Sequence, residues 1–202
     1  MIRLIGKIPN SCYVSCSGGP DSMAALDFVI RGRRKPTVIH FDHGTDHASD
    51  ARELVEKYCY DKQVKLIVHE ITGSPSKGES QEAWWRDRRY EVLNALGGIV
   101  VTGHNLNDVA EWWIFTSLRG NPCIMPYQTK NVIKPFIPTH KEVLENWCIR
   151  KNIPFVCDPT NFGKRFARSR IRHNIIPEAL EVNPGFLTVM SKKIYSAHGE
   201  KE

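Results

Sequence analysis

The chain has 202 residues and a mass of 23.1 kDa, 41% hydrophobic and 25% charged, proportions that exclude a disordered tail, a fibre or a disulfide-stapled miniature. No apolar run approaches the roughly 20 residues that span a bilayer. The opening Met1-Ile-Arg-Leu-Ile-Gly-Lys-Ile-Pro-Asn10 is too short and interrupted for a signal peptide, so a cytoplasmic protein without a membrane partner is expected. Lys and Arg outnumber Asp and Glu by 28 to 22, and the resulting charge of +6 favours an anionic partner, with solubility as the plainer explanation.

Short β-favouring runs alternate with longer helical segments. A strand at 12–16 runs into Ser17-Gly-Gly-Pro-Asp-Ser22 and a helix over 22–31. Two adjacent glycines let the backbone turn tightly and present several N–H groups, and the helix start adds positive potential. Ser17, Gly18, Gly19, Pro20, Asp21 and Ser22 can therefore cradle a phosphate or pyrophosphate, with the two serine hydroxyls as further donors. The string is neither G-x-x-x-x-G-K-[ST] nor G-x-G-x-x-G, which puts γ-phosphate hydrolysis and hydride transfer behind.

A second strand at 37–41 ends in His40-Phe-Asp-His-Gly44, before a helix over 48–62. The next strand, 65–71, leads through the loop Gly73-Ser-Pro-Ser-Lys-Gly-Glu79 to a helix over 81–96. There Arg86 and Arg89, three apart, share a face that either reaches phosphates or lies in solvent. A strand at 98–102 precedes His104, and on the helix over 107–118 Asp108 and Glu111 are i,i+3 neighbours. Such a pair can bind Mg²⁺, hold an ammonium group or take the proton that an amine loses before attack. The plainer alternative is a helix-start acid favoured by the dipole and a surface glutamate.

After a break at residues 120–126 come weaker strands at 132–137 and 154–156 and a helix over 141–151. Beyond Asp158 the basic segment Gly163-Lys-Arg-Phe-Ala-Arg-Ser-Arg-Ile-Arg-His173 leads to Pro177 and a short final helix, with residues 196–202 fraying. In helical form, Arg165, Arg168 and Arg172 lie on one face that suits an RNA backbone, and Ile171 and Ile175 form an apolar stripe.

Helices between consecutive strands imply parallel pairing through right-handed crossovers. The expected fold is α/β, a doubly wound, mostly parallel sheet with helices on both faces. We read residues 1–202 as one domain, with 158–202 a basic helical C-terminal extension. The six cysteines form no C-x-x-C pair and read as buried thiols, and the eight histidines form no H-E-x-x-H motif. Of the adjacent pairs Trp84–Trp85 and Trp112–Trp113, one member each is expected in the core, with base stacking by the other a weaker alternative.

The string Ser17 to Ser22 resembles the pyrophosphate loop of the PP-loop ATP pyrophosphatases, which adenylate a carbonyl-type oxygen before a nitrogen or sulfur nucleophile displaces AMP. Further segments are similar to one branch, the tRNA(Ile)-lysidine synthetases. His40 to Gly44 resembles their "DHG" element, and Glu82 to Tyr90 their "A-R-x-x-R-Y" helix. Thr102-Gly-His-Asn-Leu-Asn-Asp-Val-Ala-Glu111 is similar to "T-A-H-H-x-D-D-Q-A-E-T", and Ser117 to Gly120 to "L-x-R-G". Asp158-Pro-Thr-Asn161 and the arginines up to Arg172 resemble "D-P-S-N" and "R-N-R-I-R". The matches run in order from about Ser11 to Pro184. Asn107, Val109, Trp112 and Ser169 depart from the pattern, which has aspartate, glutamine, threonine and asparagine there.

The resemblance implies ATP over Ser17 to Ser22, His43 lining the adenine and ribose pocket, and Mg²⁺ near Asp21 and Asp108. It implies that Arg119 stabilises the α-phosphate and that Arg86, Arg89, Arg165, Arg168 and Arg172 contact tRNA. The wobble cytidine of a CAU-anticodon tRNA(Ile) would be adenylated and L-lysine would expel AMP, with Asp21, His104, Asp108, Glu111 and Arg119 as the catalytic set. Bacterial members carry further C-terminal domains that grip tRNA, so a catalytic domain alone implies a homodimer, an accessory tRNA-binding partner or reliance on the basic tail. Two alternatives stay open. One is another adenylating tRNA-modifying enzyme of the thiolase type, against which the absence of paired cysteines counts. The other is a nucleotide- or tRNA-binding protein without catalysis, motivated by Asn107.

Overall fold

The computed structural model describes residues 1–44, 46–78, 80–157 and 167–199. Strand β1 (Ser11–Ser15) pairs in parallel with β2 (Lys35–Asp42) on one side and β4 (Val100–Val101) on the other. On the far sides, β2 pairs with β3 (Lys65–Glu70) and β4 with β6 (Val132–Ile133), both in parallel. A two-residue strand that the sequence reading passed over, β5 (Gln128–Thr129), adds an antiparallel edge and completes the order β3-β2-β1-β4-β6-β5.

The period-two alternation of the strands sorts the core into two layers. Val14, Val38, Val101 and Ile133 face one side, where α1 (Pro20–Arg31), α2 (Asp46–Asp61) and α5 (Lys141–Lys151) cover them. Ile39, Val100 and Val132 face the other side, under Trp84 and Leu93 of α3 (Gln81–Ala95). Covered on both faces, the central strands bury apolar residues on each side, Val14, Val38 and Val101 on one and Ile39 and Val100 on the other. Among the described residues no helix is long and apolar enough to cross a membrane.

The C-terminal helices dock on α4 (Leu106–Ser117). Ile171, Ile176, Met190 and Ile194 pack with Leu106, Val109, Ala110 and Ile114 in a further apolar cluster. They come from a π-helical turn (Ile171–Ile175) that follows α6 (Ala167–Arg170), and from α7 (Ile176–Val182) and α8 (Phe186–His198). The expected stripe of Ile171 and Ile175 is therefore corrected: Ile171 and Ile176 are buried, whereas Ile175 is 39% exposed. A π turn takes an extra residue, so the position that returns to the same face moves from i+4 to i+5.

Three other expectations change. No strand forms at 154–156; Pro154 has no N–H to give, and the segment contributes one bond, from Val156 N–H to the Gly18 carbonyl. The strand expected at 132–137 stops at Ile133, because the chain then curls through i→i+3 bonds from Ile137 and Thr139. Fraying from residue 196 is not seen as far as His198. There the helix continues, and the His198 ring bonds the Met125 carbonyl at 3.0 Å.

Candidate active site

The carboxyl ends of β1, β2 and β4 converge where the sheet reverses its strand order, the position where open α/β sheets bind ligands. At the end of β1 the chain enters Ser17 to Ser22. Gly18 has φ +83°, and a Cβ there would press on Ala51 at 3.2–3.4 Å, so both conformation and space require glycine. Ser22 Oγ accepts from Ser17 N–H at 3.1 Å and donates to the Gly19 carbonyl at 2.9 Å, which commits its single proton to the loop itself. Ser17 is exposed, and its hydroxyl, 3.2 Å from Ser22 Oγ, is the one that can turn toward an anion. The Val156 bond and the buried His40 ring, 2.9 Å from the Cys16 carbonyl, pin the two sides of the loop. Pro20 opens α1, where its missing N–H costs nothing, and directs the helix dipole at the cradle.

Asp21, in the first turn of α1, has a buried Oδ1 with no hydrogen-bond partner. Burial, reinforced by the charge of Asp108, holds its carboxyl up at about 7. A buried, partnerless carboxylate oxygen beside a second carboxylate fits a cation, although among the described residues no three His, Cys, Asp or Glu side chains cluster as a metal cage. The two motifs meet because Gly103 lacks a side chain: a Cβ there would lie 2.7 Å from the Asp21 backbone oxygen. Gly103→Ala is expected to cost roughly 1–3 kcal/mol by overpacking against rigid backbone. It should also lower turnover more than tenfold by parting the loop from the acids, which thermal melting and ATP-dependent turnover will check.

The acidic residues have divided roles. Asn105 Oδ1 accepts from the Asn107 and Asp108 N–H groups, and Asp108 Oδ2 accepts from Asn105 N–H at 2.9 Å, a reciprocal cap on α4. The other Asp108 oxygen lies 3.7 Å from Arg172. Glu111 is no surface glutamate: it is 5% exposed, and its Oε2 accepts from Arg172 Nε at 3.0 Å and Nη2 at 2.7 Å. Burial raises its carboxyl above the usual range, while Arg172 and Arg168 oppose that rise. Asn107, in place of the acid of the resembled pattern, accepts from the Lys141 N–H that starts α5, so the amide keeps a helix-tying bond without the charge.

His104 follows β4, its Nδ1 2.8 Å from Thr102 Oγ1, and burial pulls its pKa well below the ordinary value, leaving the ring neutral at pH 7. Lys134, not singled out in the sequence, is 4% exposed, and its Nζ donates to the Pro126 carbonyl and Thr129 Oγ1. Burial, with Arg86 nearby, depresses its pKa to about 8. Just after β2, His43 lies against Trp85 with ring centroids 4.8 Å apart and planes inclined by 45°. Arg89 and Arg168 are close enough to act electrostatically on His104. Arg86 lies over the Tyr90 and Trp112 rings, and Arg119 is exposed at the opposite end of α4 over the Phe115 ring. Arg165 and the Asp158 to Asn161 motif lie outside the described residues.

An open, mostly parallel sheet with a glycine-rich turn between its central strand and a helix start defines an α/β domain of the nucleotide-binding type. Residues 4–179 match the family described as the PP-loop domain, and the chain belongs to that family. A tRNA(Ile)-lysidine synthase of Solibacter usitatus is 30% identical over 93% of this chain and 45% of its own length. One of Thermosipho africanus is 32% identical over 86% of this chain and 44% of its own. The chain thus spans a little under half the length of these relatives. Among solved structures, an NMN synthetase of Francisella tularensis shares the fold with a TM-score of 0.50 at 11% identity, covering 91% of this chain and 84% of that one.

Proposed function

We propose that this chain is an ATP-dependent carbon–nitrogen ligase that joins L-lysine to the wobble cytidine of a CAU-anticodon tRNA(Ile). One observation carries the reading. The anion cradle at Ser17 to Ser22 opens beside a carboxylate pair, Asp108 and Glu111, that already holds a cationic head group, the Arg172 guanidinium. Expulsion of pyrophosphate and attack by an amine need those two features side by side.

On this reading the loop N–H groups and Ser17 Oγ hold the ATP phosphates, and the His43–Trp85 ring pair faces the adenosine. Asp21 Oδ1 and the Asp108 oxygen that faces Arg172 are the groups that would hold one Mg²⁺, an ion that needs few protein ligands and offsets phosphate charge. The cytosine 2-carbonyl oxygen bonds to the α-phosphorus as the bond to pyrophosphate breaks. The lysine ε-amine then attacks C2, and the C–O bond to AMP breaks. Glu111, its proton affinity raised by burial, takes the proton that the amine loses as the amine replaces Arg172 beside it. His104, neutral, accepts a hydrogen bond from the base or amine. Arg89 and Arg168 contribute to the phosphate and tRNA contacts, and a homodimer or accessory tRNA-binding partner supplies the remaining grip. The reaction belongs to the cytoplasm, where tRNA and ATP are.

The test is mass spectrometry of nucleosides from a CAU-anticodon tRNA incubated with the protein, Mg-ATP and isotopically labelled lysine. The expected product is a cytidine heavier by labelled lysine less water; unmodified cytidine with folded protein and intact tRNA overturns the reading.

A further inference from the structure

Outside the loop and its acids, the described surface carries one unusual arrangement. A row of side chains from α3, α4 and α6 alternates rings and guanidinium groups in the order Tyr90, Arg86, Trp112, Arg168, Phe115 and Arg119. Arg86 lies 5.5 Å from the Tyr90 ring centre and 5.9 Å from that of Trp112. Arg168 lies 5.4 Å from Trp112 and 5.6 Å from Phe115, and Arg119 lies 5.1 Å from Phe115. Helical spacing builds the row, since Arg86 and Tyr90, and Phe115 and Arg119, are i,i+4 pairs and Trp112 and Phe115 an i,i+3 pair. The Trp112 and Phe115 planes are inclined by only 33° at 6.4 Å between centroids.

The charge of the row is unbalanced. Among the described residues Arg86 and Arg119, both exposed, pair with no carboxylate, and Arg168 pairs with Glu111 alone, at 3.8 Å. Flat rings set among uncompensated cations suit a polyanion that carries flat rings of its own, namely a nucleic acid whose bases are unpaired. A duplex would meet the cations but would hide its base faces from Trp112 and Phe115. The row also has a direction. Arg168 touches both the two rings and the buried Glu111, so a strand lying on it runs into the carboxylate pair. Trp112 stands where the resembled pattern has threonine, so the ring belongs to this chain and not to the pattern.

We propose that this row is a stacking surface for the unpaired RNA bases that flank the reacting nucleotide. The inference rests on the reading of the substrate as a tRNA anticodon loop, and it adds where and by which chemistry that loop is held.

The test compares binding of a fluorescent anticodon stem-loop RNA and of a duplex made from the stem alone, over a range of salt concentrations, to the full chain and its variants. Trp112→Leu and Phe115→Leu are each expected to weaken stem-loop binding roughly 5–50-fold through lost stacking, with the salt slope and duplex binding unchanged. Arg86→Gln and Arg119→Gln, exposed and safe for folding, should each lower the salt slope by about 0.7, the share of one phosphate contact on a single strand. Unchanged stem-loop binding by both ring variants, or an equal loss on the duplex, overturns the stacking surface alone. A wild-type chain that binds neither RNA overturns the surface together with the tRNA reading.

Discussion

Asp21→Asn is expected to make the ligand-free protein more stable at pH 8 while nearly abolishing the proposed lysine ligation. Burial, with the charge of Asp108 behind it, holds the Asp21 carboxyl at about 7 against an ordinary 3.8. The unfolded chain therefore releases this proton near pH 4 and the folded chain near pH 7. Folding loses stability as pH rises through that window, and the full penalty persists above it. The shift sets an upper bound of about 4 kcal/mol, and with solvent entering the site on the order of 2 kcal/mol is expected. Asparagine removes the penalty, so the variant should melt about 4–8 °C higher than wild type at pH 8, given roughly 2–4 °C per kcal/mol for a chain of this size. Near pH 4 the difference should vanish. Lysine ligation should fall roughly 10²–10³-fold, the scale seen when one charge-stabilising group is lost. Melting curves between pH 4 and 8 and the labelled-lysine assay check both halves. A variant no more stable at pH 8 than at pH 4, relative to wild type, would show that Asp21 ionises freely.

Glu111 should separate folding from chemistry in the opposite sense. Glu111→Gln leaves Arg172 facing a neutral amide and is expected to cost about 2 kcal/mol, below the range for a fully buried pair because the arginine is partly solvated. Replacing both partners, Glu111→Leu with Arg172→Met, should restore most of that stability, since an apolar pair of similar volume needs no desolvated charge. On the proposed mechanism, ligation should be lost by roughly 10²-fold or more in both, because there the Glu111 carboxylate takes the proton from the amine. Urea unfolding beside the labelled-lysine assay gives the two readouts. If the stabilised double variant still ligates lysine, Glu111 is a structural anchor and the proton goes to Asp108 or His104.

Much of this protein is local physics. The glycine pair, Pro20 at the first helical position and the period-two pattern of Val14, Val38 and Ile39 each act over a few residues. They determined the glycine-rich turn, the helices α1 to α5 and the mostly parallel sheet. The spacing of Asp108 and Glu111 likewise placed both acids on one side of α4.

Long-range packing decided the rest. Whether Glu111 faced solvent or Arg172, 61 residues away, depended on where the C-terminal helices docked. The same docking, through one added residue in a π turn, exchanged Ile175 for Ile176 in the core and lined Arg168 against Trp112 and Phe115. Asp21 acquired its high proton affinity only when Gly103 let its helix start approach the acids of α4, and Lys134 lost proton affinity only when the sheet buried it. The sequence by itself determined which groups this protein has and the frame that carries them. Tertiary structure decided which of those groups lose water and face one another, because desolvation and charge pairing depend on distance in space and not on separation along the chain.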